Sequence, residues 1–569
     1  MKKMKLLSML LALVMLIGAA ACGGSGASTG GNTPGASQPA PGPASPSSPS
    51  SPAPAGTPAT AGAEQVLRYA IINDPDGIDP GITQNTFAAP FLHTMFQGLV
   101  TYDLNNELIP GLAKEWTISD DATVYTFTLR DGLKWSDGSP LTAEDFVYSW
   151  QRVMDPEVGS AAAQQMYLYI KNGKKVYDGE LPKDQVGLKA IDDVTLEVTL
   201  EAPTPFILQL MASWTYYPVC KAVVEKNPDW TRNADTYVSS GAFKFGEYRL
   251  SDTFTVLKNE YFWDADNVSL ERIEFKFIPE LATALAAYER GEVDGLLRVP
   301  ATEVPNLRSR DDFYSLPQFG NTYYLVNITE PGLTDVRVRE ALALAVDRTS
   351  IIEDVIMSPC DPVRGHVPKG YVVDGKDFRE EGGYYGLSET ADIEKARRLL
   401  AEAGYPNGEG FPNVRLGYYT NERAKRVAEA LQQMYKQNLN IDFEIVSAEW
   451  TVFYDQVMDL DYGICAMGDL GTYLHPMAFL STFAGDTPPL ETGWRSAEYD
   501  DLIAQISASS DEKQAIGLMH QAEDIFMRDW PIIPIFSANQ DMMMATYVQD
   551  WNYTPTGSFV FNNIKIAEH

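Results

Sequence analysis

The stretch that decides the fold runs from residue 124 to residue 154, VYTFTLRDGLKWSDGSPLTAEDFVYSWQRVM, and it changes period twice. Tyr125, Phe127 and Leu129 alternate with Thr126, Thr128 and Arg130, the pattern of a strand with one buried face. Asp131-Gly132 and Ser136-Asp137-Gly138 then supply residues that tolerate positive φ, and Pro140 closes the loop. Thr142 opens a helix as its N-cap, with Glu144 and Asp145 in the first turn, where the helix dipole favours negative charge. Phe146, Val147, Trp150, Val153 and Met154 form one apolar stripe along it. Strand, turns and helix in this order specify an α/β unit, which by itself is scaffold.

Working outward, 569 residues exceed what one hydrophobic core organises, so two or three domains are expected. Lys plus Arg total 44 against 77 Asp plus Glu, a net charge of −33, which leaves no basic surface for nucleic-acid phosphates or anionic lipid. The N-terminus is an address: Lys2, Lys3 and Lys5 precede an apolar run over residues 6–17, too short to span a bilayer as a mature helix. Gly18-Ala19-Ala20-Ala21 leads to Cys22, so residues 1–21 read as a signal peptide with lipidation of Cys22; plain secretory cleavage is the alternative. Residues 22–63 are Gly, Ser, Ala, Thr and Pro with almost nothing to bury, a disordered tether reaching about 40 Å relaxed and about 100 Å stretched.

Cys220, Cys360 and Cys465 remain, an odd number without metal-like spacing, so at most one disulfide forms. The five histidines stand singly, and neither a zinc motif nor a phosphate-binding loop occurs. No cofactor or metal is expected. An extracellular hydrolase has no nucleophile elbow to support it.

The segment LRDGLKWSDGSPLTAEDFVYSWQR resembles the signature of the extracellular solute-binding proteins, family 5, the oligopeptide- and dipeptide-binding lipoproteins of ABC importers. Further matches follow in one order: Ile78-Asp79-Pro80, Ser239-Ser240-Gly241-Ala242-Phe243, Asn259-Glu260-Tyr261-Phe262-Trp263-Asp264, the DVRVREALALAVDR stretch at 335–348, and Ala403-Gly404-Tyr405-Pro406. The resemblance covers residues 65–569. It implies an α/β, two-lobed periplasmic-binding-protein-like fold with a hinge, of the class II or cluster C type, with a subdomain inserted in lobe one. The expected boundaries are 64–96, 216–319 and 537–569 for lobe one, 97–215 for the inserted subdomain and 320–536 for lobe two. In the 335–348 stretch Asp335 is expected to cap a helix whose Val338, Leu342, Ala345 and Val346 face inward while its arginines stay in water.

A protein that accepts many peptides must hold what peptides share, the backbone and the charged ends. In the family the segment Gly-Trp-x-Ala-Asp-Tyr-x-x-Pro pairs with the ligand backbone, and its Asp holds the α-ammonium. Here it reads Gly468-Asp469-Leu470-Gly471-Thr472-Tyr473-Leu474-His475-Pro476, with Thr472 for the Asp and Asp469 for the Trp. Thr cannot supply the charge; Asp469 either replaces it in a changed register or is a surface-loop carboxylate. The resemblance places Trp450 in the pocket, with a core Trp as the alternative, and Tyr323 and Tyr324 near the hinge, in the core or on the ligand. The loop around residues 83–86, with Thr86, is expected at the cleft. The expected ligand-binding set is Thr86, Tyr323, Trp450, Asp469, Gly471, Thr472 and Tyr473, with no catalytic residue.

The implied function is capture of oligopeptides at the outer face of a bacterial cell membrane and delivery to an importer. The implied partners are a peptide ligand, the permease and ATPase subunits of the transporter and, through the lipid anchor, the membrane. A monomer is expected, and no nucleic acid. The alternatives are an N-blocked or other small non-peptide solute in the same fold, or a surface sensor.

Overall fold

The computed structural model describes residues 64–569 apart from 76, 84, 85, 486, 487 and 510, with the backbone alone at Thr86; the signal peptide, Cys22 and the tether lie outside the described residues. The first strand, β1 (Val66–Ile71), is buried on both faces at nearly every position. That near-continuous apolar run is what a strand inside a sheet requires. Helix α1 (Ala89–Met95) follows. Next come β2 (Ala113–Ile118) and β3 (Val124–Leu129), whose Tyr125, Phe127 and Leu129 point inward as their alternation demands. Gly132 and Gly138 adopt φ of 72° and 84° in the two turns.

Helix α2 (Ala143–Val153) starts where Thr142 predicts. The Thr142 backbone N–H donates to the Asp145 carboxylate at 3.0 Å, closing the first turn. Phe146, Val147, Trp150, Val153 and Met154 are all buried. With β4 (Leu188–Asp192) and β5 (Thr195–Thr199), β2 and β3 make a four-stranded antiparallel sheet in the order β2-β3-β5-β4, and α2 packs against β4 and β5.

The large sheet adds to β1 the strands β6 (Phe243–Arg249), β7 (Thr253–Lys258), β8 (Arg272–Phe277), β9 (Gly295–Leu296) and the long β10 (Phe313–Val326). Helices α3 (Val336–Leu344) and α4 (Ile393–Glu402) come next, then β11 (Val414–Tyr419), α5 (Glu422–Leu439), β12 (Phe443–Ala448), α6 (Trp450–Met458), β13 (Ile464–Leu470), α7 (Glu512–Asp529) and β14 (Ile532–Met544). Asp335, Asn421 and Asp511 each accept a backbone N–H at the start of α3, α5 and α7, as good N-caps do.

These strands form one ten-stranded sheet in the order β12-β11-β13-β10-β14-β9-β1-β8-β7-β6. Its two halves meet only through the antiparallel pair β10 and β14. At one end β14 pairs with β9 through Met543 and Met544; at the other, β10 pairs with β13 from Gly320 to Val326. Between them the register breaks: Pro317 faces Asn539, but the next pair is Asn321 with Ser537, so three residues oppose one. In β11, β12 and β13, which run parallel, the chain steps outward to β12 and then back across β11 to β13. Right-handed crossovers then put α5 and α6 on opposite faces and leave a crevice at the carboxyl ends of β11 and β13.

The arginines of the 335–348 region depart from expectation. Arg339 is 5% exposed and Arg348 is fully buried. Each is held by backbone carbonyls, some from neighbouring residues and one far along the chain, 190 positions from Arg339 and 186 from Arg348. The Arg339 guanidinium donates to Leu333, Thr334 and Asp529 oxygens at 2.6–3.0 Å, closing the carboxyl end of α7. Arg348 donates to Ala343, Val346, Val363 and Pro534 oxygens at 2.9–3.3 Å, joining the end of α3 to β14. Helix C-termini carry partial negative charge, which makes them acceptors for a buried cation. Burial nonetheless lowers the Arg348 pKa to about 10.

A second buried charge is paired. Glu523 of α7 is fully buried, binds the Arg379 guanidinium and accepts from the His366 and Val367 amides at 2.8 and 2.9 Å. Burial pushes its carboxyl up, and Arg379 with these amides outweighs it and holds the pKa below the usual range. Glu523→Ala leaves Arg379 unpaired and is expected to cost about 3–5 kcal/mol in urea unfolding. Glu523→Gln keeps an acceptor for the two amides and costs less.

Candidate ligand-binding site

The crevice contains two cavities joined by one strand edge. Ile464 and Cys465 pair with β11 on one side of β13, but from Ala466 to Leu470 the strand is paired, among the described residues, with β10 alone. Its outer backbone groups face the gap. The cavity at the carboxyl end of β11 measures about 210 Å³ and is lined by Tyr419, Arg423, Trp450, Tyr324, Gly468 and Phe536 among others. Gly468 is required there: a Cβ would sit 2.7 Å from the Asn321 carbonyl oxygen.

Trp450, at the start of α6, is 52% exposed and meets Tyr419 edge-on at 5.4 Å, so it is a cavity wall and not a core Trp. Arg423, in the first turn of α5, has its guanidinium 5.1 Å from the Phe536 ring and 3.6 Å from Cys360 Sγ. Its Nε is buried without a hydrogen-bond partner among the described residues. Burial raises the Tyr419 pKa, and Arg423 and Arg298 pull it down from nearby. This end of the crevice is therefore cationic, in a chain whose net charge is −33.

The other cavity, about 180 Å³, lies where Leu470, Gly471 and Thr472 leave the strand and meet His93, Trp214, Tyr217 and the segment 554–562. Thr472 is exposed and Gly471 is buried, its N–H donating to the Phe319 oxygen at 2.8 Å. Tyr473 points away from the cavity. It is 5% exposed and stacks on Phe206 at 4.8 Å, with His475 4.9 Å from the same ring. Tyr473 thus ties the strand's end to the segment carrying the four-stranded sheet.

Asp469 and Tyr323 form a pair of their own. Asp469 sits opposite Asn321 in the β13–β10 ladder, and the Tyr323 hydroxyl donates to its Oδ2 at 2.6 Å. Ala466, Met467 and Gly468 line the Trp450 cavity and Asp469 does not, its carboxylate being turned to the Tyr323 hydroxyl. It lines neither cavity and is a strand residue, not a loop carboxylate. Tyr323 is fully buried beside the His366 ring at 5.7 Å. Of Thr86, only the backbone at the start of a short 3-10 turn is described.

The family described as bacterial extracellular solute-binding proteins, family 5 Middle, matches residues 107–489. The chain belongs to that family. It is 35% identical to the dipeptide-binding protein DppE of Bacillus subtilis, over 88% of this chain and 91% of that protein. With the oligopeptide-binding protein OppA of the same organism it shares 33% identity over 87% of this chain and 92% of that one. Among solved structures, a periplasmic oligopeptide-binding protein of Borrelia burgdorferi superimposes with a TM-score of 0.75 at 31% identity, covering 88% of this chain and all of that one. The two-lobed periplasmic-binding-protein fold is thus that of family 5, and members of the family bind solutes.

Sequence reading passed over Arg423, Tyr419 and the His93 cavity. Tyr419 ends a parallel strand and Arg423 follows the N-cap Asn421, a place where α/β sheets commonly bind ligands, and that rule is the signal that finds them. The His93 cavity is assembled from segments hundreds of residues apart and carries no local signal.

Asp469 generates a pH-dependent test. Burial pushes its carboxyl up from 3.8 to about 6, and the Tyr323 hydroxyl only partly offsets this. The folded state therefore holds a proton that the unfolded chain has lost, so stability falls as pH rises between about 4 and 6 and is level above. Two units correspond to about 3 kcal/mol at most, and residual solvent contact reduces this to about 1–2 kcal/mol. Asp469→Asn is expected to raise the melting temperature above pH 6 and to leave it unchanged below pH 4.

Proposed function

We propose that the chain is the extracytoplasmic, lipid-anchored binding protein of an ABC importer and that it captures short peptides. The observation that carries this reading is the unpaired edge of β13 between a cationic and an uncharged cavity. An extended peptide adds to such an edge by backbone hydrogen bonds whatever its side chains. From Gly468 to Thr472 an extended chain covers about 13 Å, the reach of roughly four residues at about 3.3 Å each. The names of the relatives, which are dipeptide- and oligopeptide-binding proteins, support the same class of ligand. Trp450 and Tyr419 offer aromatic surface to one side chain, and Arg423 takes the carboxylate. Among the described residues no helix is long and apolar enough to cross a membrane, and the anchor of this reading is lipidated Cys22.

Native mass spectrometry of the protein purified without denaturation is expected to release a ladder of peptide masses; a single non-peptide mass overturns the peptide reading. A charge-assisted contact at Arg423 is worth about 1.5–3 kcal/mol, or about 10–100-fold in affinity. Arg423→Ala is expected to lose that factor for tetrapeptides with free carboxylates. Amidating the peptide's carboxyl end then weakens binding to the unaltered protein and leaves the variant indifferent. Cys22→Ser is expected to move the protein from the membrane fraction to the soluble one.

A further inference from the structure

The His93 cavity differs in kind from its neighbour. None of its described lining residues is Asp, Glu, Lys or Arg. Its wall carries the rings of Trp214, Tyr217 and Phe559 and the polar side chains of His93, Tyr102, Gln209 and Asn562, each with a buried atom that has no hydrogen-bond partner among the described residues. The Tyr217 hydroxyl lies 3.3 Å from the Ala212 oxygen and 2.8 Å from His93 Nδ1. The 2.8 Å contact is satisfied by either neutral tautomer of His93, so Nε2 accepts when Nδ1 carries the proton and donates when Tyr217 gives its proton to Nδ1. Burial lowers the His93 pKa to about 4, so the ring is neutral across the physiological range. An uncharged polar wall of amides, hydroxyls and a neutral imidazole around about 180 Å³ suits a neutral polar group that both donates and accepts, as an amide does.

A peptide with free ends brings one positive and one negative charge. Arg423 provides for the carboxylate, and the strand edge leads from there to the His93 cavity. An ammonium entering that cavity loses its water and meets no counter-ion, whereas an amide loses little if its N–H is bonded. Thr472, at the cavity's rim, is neutral as well.

We propose that the peptide selected by this cleft carries an uncharged, amide-blocked amino end seated in the His93–Tyr102–Gln209–Asn562 cavity, with its free carboxylate at Arg423. This rests on the peptide reading above and adds the chemistry of the amino end. N-formyl, N-acetyl and cyclised amino ends share the required amide.

The test is a competition, read by native mass spectrometry on the full protein, between a mixed tetrapeptide library with acetylated amino ends and the same library with free amines, all carboxyl ends free. At pH 6 the acetylated form is expected to be favoured by about tenfold or more. Free amines should gain as pH rises past about 8, where the α-amino group loses its proton, while the acetylated form holds constant. Thr472→Asp places a carboxylate at the rim and should reverse the preference toward free amines at pH 6. If the unaltered protein takes free amines as tightly as acetylated ones, the blocked-end inference falls and the peptide reading stands. If it binds neither library, both fall.

Discussion

The irregularity in the β10–β14 pair sets the geometry of everything near the ligand. Both halves of the large sheet depend on this ribbon, and between Pro317 and Asn321 three residues of β10 pass one of β14. Pro317 has no N–H to give the ladder, and at Gly320 a Cβ would lie 2.6 Å from the Asp469 oxygen. The displaced residues are not idle: the Phe319 N–H donates to the Pro555 oxygen at 2.7 Å, drawing in the segment that walls the uncharged cavity. The offset of two keeps strand parity, and a second irregularity follows, where Ile535 is passed between the Thr322–Phe536 and Tyr323–Pro534 pairs. Along β10 itself Thr322 and Tyr324 line the Trp450 cavity while the Tyr323 hydroxyl meets Asp469; a slip by one residue exchanges the two sets. A hinge placed here bends where the ladder is already broken.

Lobe two meets this ribbon as a stiff body because its buried cations are bonded between elements. Arg348 ties α3 to β14, Arg339 ties α3 to the end of α7, and Arg379 with Glu523 fixes α7 to the loop at His366 and Val367. Desolvating a guanidinium is costly, and the carbonyl sets that meet it are specific to one arrangement of helices. Arg423 differs from these three: its guanidinium borders the Trp450 cavity instead of joining two elements.

The α/β unit at 124–154 was legible to the residue because every determinant is local: alternation, glycine turns and a cap box within thirty-odd positions. The cap at Asp335 was legible for the same reason. The buried arginines were not. An Arg on an otherwise apolar helix reads as solvent-facing until its carbonyl partners are known, and Pro534 lies 186 positions from Arg348. The substitution at Thr472 was visible, but whether Asp469 compensates for it turned on strand parity, which no run of neighbouring residues contains. The uncharged cavity required His93, Gln209 and Asn562 to be brought together by the fold.

The open edge of β13 also bears on how the protein keeps to itself. Exposed strand edges template pairing between chains and lead to aggregation. This one is five residues long, from Ala466 to Leu470, stopped by β11 pairing on one side and by the turn at Gly471 on the other. Gly468 weakens its strand character, and Asp469 sets a carboxylate on its inner face. Trp450 lines the cavity at one end of it and the 554–562 segment the cavity at the other, so the length open to a ladder is short. The shortness of those five residues thus limits what can template on this edge.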